Sequence, residues 1–209
     1  MRPYPIARYI IPPIIGLWIK NITGLENLPK SEAFIIATNH SSYIEHLMIG
    51  SSVVPYLNKK IHTLAKKEHF NHFFEGLWHK YLAAIPIDRS KGKGAMKIAI
   101  DYLKKGKIIL IYPEGTRSLT GKIQKGKTGI AKLALWAKVP IVPLGIIGTF
   151  EILPKGKKIP KMKRATLNFG KPTYFNKYYK KPITKKLLRN ITDTIMKEIA
   201  KLSNQKYNF

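Results

Sequence analysis

The chain has 209 residues, the length of one domain, and 44% hydrophobic, 11% aromatic and 23% charged residues, which exclude long disorder, a collagen-like fibre and a polytopic membrane protein. Without cysteine it has no disulfide scaffold, no cysteine-ligated zinc or iron–sulfur site and no thiol nucleophile. Its 38 Lys and Arg against 11 Asp and Glu give a formal charge of +27, which calls for an anionic partner: nucleic acid, an acidic lipid surface, a phosphorylated substrate or an acidic carrier protein.

At the amino terminus, Ile6 to Ile19 (IARYIIPPIIGLWI) is strongly apolar, but Arg8 and the Pro12-Pro13 pair interrupt it. A helix of these 14 residues would reach only about 21 Å against a hydrocarbon core of roughly 30 Å, so the segment does not span as one straight helix. The prolines also spoil a signal-peptide core, and no small-x-small cleavage site follows before Lys20. Tyr4, Tyr9 and Trp18 beside Ile10, Ile11, Ile14 and Ile15, flanked by Arg2, Arg8 and Lys20, suit insertion at a headgroup boundary. A terminal helix packed on the core has the same pattern. Residues 1–20 are read as an interfacial segment and residues 21–209 as one domain.

Along that domain, strand-like runs alternate with helical ones. Ala33 to Thr38 (AFIIAT) reads as a strand, Ile44 to Val53 as a helix, Ile61 to Ala65 as a strand and His69 to Tyr81 as a helix. Then come a strand at Ala84 to Asp88, a helix at Gly94 to Lys104, a strand at Lys107 to Tyr112 (KIILIY) and a helix at Thr128 to Lys138. Ile141 to Ile147 and Ala165 to Gly170 complete the strands. Such alternation predicts an α/β domain with a largely parallel or mixed central sheet flanked by helices, with chemistry at the strand ends. Residues 152–192 carry 13 Lys or Arg and no acid, a cationic surface. A closing amphipathic helix from Thr184 to Leu202 puts Leu187, Leu188, Ile191, Ile195 and Ile199 near one face.

Two segments carry the residue types of a reaction site. In Asn39-His40-Ser41-Ser42-Tyr43-Ile44-Glu45, at a strand-to-helix junction, Ser42 as N-cap would put Glu45 at the third helical position, its carboxylate pointing back toward His40. An imidazole, titrating near about pH 6.5, suits proton abstraction, and a carboxylate on its far nitrogen fixes the tautomer and stabilises the imidazolium. Ser42-x-x-Glu45 is equally a plain capping box. Tyr112-Pro113-Glu114-Gly115-Thr116-Arg117-Ser118 follows KIILIY: a glycine that lets backbone amides approach, beside an arginine able to bind an oxyanion bidentately, makes a phosphate site, or else a polar turn. Lys66 and Arg89 leave two other strand ends and could converge on the same anion.

Taken in order and at these separations, NHSSYIE, AKKEHF, IPIDRS, YPEGTRS and VPIVPLG resemble the successive motifs of the glycerolipid acyltransferases, particularly the 1-acylglycerol-3-phosphate acyltransferases. The resemblance runs from about Ile22 to Gly148, and YPEGTRS is its most specific piece. It implies an α/β fold on a membrane surface, monotopic and at the cytoplasmic face, with His40 as general base. The loop of Glu114, Gly115, Thr116 and Arg117 would hold the acceptor's glycerol phosphate, with Arg89 and Lys66 assisting. The implied partners are lysophosphatidic acid, an anionic membrane and an acyl thioester, either acyl-CoA or acyl carrier protein, as co-substrate. No metal or other cofactor is implied, and no nucleic acid. One position departs from the pattern: the family usually has Asp where this chain has Glu45. Other acceptors, another lysophospholipid or glycerol 3-phosphate, stay open.

Three further signals lead elsewhere. Gly121 to Thr128 (GKIQKGKT) satisfies the Walker A pattern, but KIILIY ends nine residues before it and no later strand ends in an Asp for magnesium. His69, His72, Glu75 and His79 have metal-ligand spacing on one helical face, yet Phe70, Phe73, Phe74, Leu77 and Trp78 make an aromatic packing helix the simpler reading. Lys177-Tyr178-Tyr179-Lys180-Lys181 suits a non-catalytic nucleic-acid binder, though no RNP, KH or zinc-finger signature accompanies it.

Overall fold

The computed structural model describes residues 6–71, 76–77, 81–88 and 92–209. Seven strands form one mixed sheet: β1 (Ile19–Thr23), β2 (Ile35–Thr38), β3 (Ile61–Lys66), β4 (Ile85–Ile87), β5 (Ile108–Ile111), β6 (Ile141–Ile147) and β7 (Ala165–Phe169), in the order β1-β7-β6-β2-β5-β3-β4. All pairs are parallel except β6 with β7. Every strand expected from the sequence is present. The addition is β1, an edge strand whose sheet partner is β7, so its short IKNIT run at the tail of an apolar segment carries little local signal.

The α-helices bounded among the described residues are α1 (Ile11–Gly16), α2 (Glu45–Leu57), α3 (Gly92–Lys104), α4 (Gly129–Ala137), α5 (Thr149–Ile152) and α6 (Lys185–Leu202). Strand periodicity sorts the core into two layers. Ile35 and Ala37 of β2, with Ile109 and Ile141, face α3, α4 and α6 through Leu103, Ala131, Leu133, Ile191, Ile195 and Ile199. Phe34 and Ile36, with Leu110, Val142 and Leu144, pack on Met48, Ile49 and Val53 of α2. Burial on both faces explains why these strands read as continuous apolar runs rather than alternating ones. Thr184 caps α6, accepting a hydrogen bond from the Leu187 amide at 3.1 Å. Most of the expected helix over His69 to Tyr81 lies outside the described residues, including His72, Glu75 and His79 and the His69 side chain; Lys67–Phe70 forms a 3₁₀ turn.

The amino-terminal segment packs on the core through part of its surface. Pro12 and Pro13 occupy the first turn of α1, where their missing amides cost nothing. Ile15 is buried against the α2 side of the core, while Tyr9, Ile10, Ile14 and Leu17 are exposed. Among the described residues no helix is long and apolar enough to cross a membrane.

Because β2, β5 and β6 are parallel neighbours, the chain leaves all three at one edge. Backbone pairing of β2 with β6 stops at Thr38 opposite Leu144. Beyond it, the Asn39 side chain donates through Nδ2 to the Ile146 carbonyl and accepts through Oδ1 from the Ile146 amide, both at 2.9 Å, standing in for the next rung of the ladder. The backbone can then diverge from the sheet at His40 without leaving buried groups unpaired. Asn39→Ala would strand both Ile146 groups in the core and is expected to cost about 2 to 4 kcal/mol in denaturant unfolding. Asn39→Asp, which cannot donate to the Ile146 carbonyl, should also be destabilising.

Candidate active site

The site is organised around a carboxylate with no exposure to water: Glu45 is 0% exposed. Its Oε1 accepts from the Ser41 amide at 2.8 Å, the Ser42 amide at 2.9 Å, the Thr149 hydroxyl at 2.8 Å and the Ser41 hydroxyl at 3.0 Å. Its Oε2 lies 2.7 Å from His40 Nδ1. A carboxylate taken wholly out of water persists as a charge only when so surrounded by donors. Having no donor of its own when ionised, it makes Nδ1 the protonated nitrogen and leaves the Nε2 lone pair available as a base.

The expected juxtaposition of His40 and Glu45 is thus present, by a different local route. Ser42 is not the N-cap: α2 begins at Glu45, with Ile44 in that position. Half of the capping box survives, in that the carboxylate reaches back to the Ser42 amide. The Ser42 hydroxyl donates to the Leu153 carbonyl at 2.7 Å. It also accepts from the Ile44 amide at 3.3 Å, a local turn rather than a cap on the amides of α2.

A second carboxylate ties the two segments together. The His40 amide donates to Glu114 Oε1 at 2.9 Å, and the His40 carbonyl accepts from the Ser118 amide at 2.7 Å. Glu114 Oε2 accepts from the Gln124 amide at 3.0 Å and from its side-chain nitrogen at 2.9 Å. Burial raises the Glu114 pKa to about 7, against the opposing pull of these donors and with a further push from the Glu45 charge. The Tyr112 ring stacks on the His40 imidazole, centroids 3.7 Å apart and planes at 21°. Burial holds the Tyr112 hydroxyl well above its usual range.

The Arg117 guanidinium lies over the Tyr43 ring, 3.3 Å from its centroid. Its Nη1 is buried without a protein hydrogen-bond partner, as is the Tyr112 hydroxyl. Gly115 adopts φ +78°, a left-handed conformation that favours glycine, and the Lys127 side chain packs over it. The Gly115 amide donates to the Tyr112 carbonyl at 3.0 Å, and the Thr116 carbonyl accepts from Gln124 at 3.2 Å. The Gly115 amide is thus engaged inside the loop and the Ser118 amide on the His40 carbonyl, while Arg117 and Lys127 bring cationic side chains to the same loop.

The remaining predicted residues fare differently. Lys66 ends β3 at the same sheet edge, but its ammonium is half-exposed and ion-paired with Glu68 at 3.6 Å. Arg89 lies outside the described residues. Four contributors escaped sequence reading: Tyr112 as a stacking partner, Thr149, Gln124 and Lys127. Lys127 belongs to the stretch that mimics a P-loop, and that stretch folds instead as a loop back over Gly115. A polar Thr two residues after β6 was the one available hint for Thr149.

A family model described as Acyltransferase matches residues 20–147. The 1-acyl-sn-glycerol-3-phosphate acyltransferase of Bacillus subtilis (strain 168) is 33% identical over 181 residues, 86% of this chain and 86% of its own length. The chloroplastic 1-acyl-sn-glycerol-3-phosphate acyltransferase LPAT1 of Arabidopsis thaliana is 30% identical over 142 residues, 66% of this chain and 38% of the plant protein. The crystal structure of the 1-acyl-sn-glycerophosphate acyltransferase PlsC from Thermotoga maritima superposes with a TM-score of 0.68 over 97% of this chain and 82% of that one; at 23% identity the likeness speaks for the fold. A match through every strand that delivers the His40 and Glu114 segments, joined by a relative aligned along most of both chains, means that the chain belongs to the Acyltransferase family.

Proposed function

We propose that the protein transfers an acyl group from an acyl thioester to the sn-2 hydroxyl of 1-acylglycerol 3-phosphate, forming phosphatidic acid, and that it does so as a monotopic enzyme at a membrane surface. The observation that carries this reading is the direct bonding of the two segments: Glu114 and Ser118 grip the amide and carbonyl of His40, and Arg117 between them stacks on Tyr43. Base and cation therefore share one backbone frame. A nucleic-acid binder needs no buried His–Glu pair of this kind.

In the proposed reaction, His40 Nε2 removes the proton from the acceptor hydroxyl as its oxygen attacks the thioester carbonyl. The tetrahedral intermediate collapses by breaking the carbon–sulfur bond, and the imidazolium returns the proton to the departing thiolate, leaving ester and thiol. Glu45 stabilises the imidazolium in between. Arg117 and Lys127 hold the acceptor phosphate, so positioning lowers the barrier along with proton transfer. Glu114 is a positioning residue that acts through the His40 backbone. Both CoA and acyl carrier protein are acidic donors that suit a chain of charge +27.

Labelled acyl-CoA and acyl carrier protein, offered in turn with 1-acylglycerol 3-phosphate, another lysophospholipid and glycerol 3-phosphate, test the assignment. Phosphatidic acid acylated at sn-2 is expected, and turnover confined to a different acceptor would overturn it. His40→Ala should lower turnover by about 10² to 10⁴ with the fold intact but a lower melting temperature, because Glu45 loses a donor. Glu45→Gln turns an amide N–H toward Nδ1, favours the wrong tautomer and should lose at least about 10² in turnover, whereas Glu45→Asp should keep most of it. Glu114, raised from 4.5 to about 7 in the fold, contributes stability that is complete below 4.5 and is lost as pH rises through 7. Melting temperature should accordingly decline across that window in the native protein, and more flatly in Glu114→Gln.

A further inference from the structure

We propose that the loop over residues 154–164 is a second membrane-contact element, which lays the mouth of the site on an anionic bilayer. Its sequence, PKGKKIPKMKR, carries six cations (Lys155, Lys157, Lys158, Lys161, Lys163 and Arg164) and no acid. Between these cations stand Ile159, 83% exposed, and Met162, 73% exposed, the two most exposed large hydrophobic side chains among the described residues. Cations flanking bare aliphatic tips match the chemistry of an anionic headgroup layer over hydrocarbon: ammonium groups meet lipid phosphates while the tips enter below them. A nucleic acid would use the same cations but has no place for two aliphatic side chains, and this loop carries no aromatic ring on which bases could stack.

The loop is anchored at both ends to the elements that matter. At its base the Leu153 carbonyl accepts from the Ser42 hydroxyl at 2.7 Å and the Tyr43 amide at 3.4 Å, and Pro154 forms an antiparallel bridge with Ser42, two residues from His40. Farther along, the Trp18 indole donates to the Lys161 carbonyl at 3.0 Å, and the Ala165 amide donates to the Trp18 carbonyl at 2.8 Å. Trp18 directly follows the exposed Leu17 of the amino-terminal segment. The loop thus bridges the apolar segment and the His40 turn. Adsorption through both would hold the site at the depth of a lipid's glycerol backbone.

This inference rests on the acyltransferase reading only for why the site should face lipid, and vesicle binding is measured without turnover. The test is co-flotation of the full chain with phosphatidylcholine vesicles, with and without phosphatidylglycerol, for the native protein, Ile159→Ser/Met162→Ser and Lys157→Gln/Lys158→Gln. Each double variant is expected to partition about tenfold more weakly onto the anionic vesicles, with an unchanged melting temperature and unchanged activity on a short-chain acceptor dispersed in detergent. Unchanged partitioning of both variants overturns the proposal, as does a lysine variant that loses binding to RNA or DNA while keeping its vesicle binding. Loss of activity on the dispersed acceptor with partitioning intact would count against the loop's separateness from the site and would likewise overturn it.

Discussion

An ionised carboxylate sealed from water needs a full set of donors, and the surroundings of Glu45 are arranged to supply one. Two amides from the Ser41-Ser42 turn, two hydroxyls and the His40 imidazole converge on its two oxygens. Removing any of them leaves buried charge less well compensated, so the turn after β2, the first residue of α2 and the start of α5 are held to one geometry. The orientation of the imidazole follows from that geometry.

Glu114 extends the same logic outward. Its oxygens join the His40 amide to Gln124, and the neighbouring Ile123 amide donates to the Gln205 side chain at 2.7 Å. The Tyr207 hydroxyl accepts from the Gly126 amide at 3.3 Å and donates to Asp193 at 2.9 Å. The long connection between β5 and α4 is thereby strapped from one side by the His40 turn and from the other by the carboxyl-terminal segment. A loop that would otherwise be mobile becomes a fixed platform for Arg117 and Lys127.

The charge excess has a spatial distribution that composition could not convey. Arg117 is partly buried beside Tyr43 and Lys127 lies over Gly115, while the acid-free tract contributes solvent-facing cations on the loop after α5. Cations held against one loop and cations spread over a surface do different work. The first kind can discriminate a ligand by geometry, and the second attracts any anionic surface at a distance set by ionic strength.

How much of this was legible in the chain follows from the range over which each signal acts. Strand and helix periodicities, the five-residue spacing of His40 and Glu45, and the order of the motifs are encoded in neighbouring residues, so the α/β sheet and the paired segments could be read directly. The same holds for the amphipathic face of α6. Whether Ser42 would cap α2 was a local inference that failed on the start of the helix, which falls at Glu45 with Ile44 in the cap position. The Asn39–Ile146 rung, the Thr149 hydroxyl on Glu45, the Gln124 grip on Glu114 and the placement of β1 beside β7 join residues far apart in the chain. The sequence by itself therefore determined the elements and the chemical types at their ends. Tertiary structure alone decided which of those types meet, because side-chain convergence depends on strand order and register, and no local pattern records either.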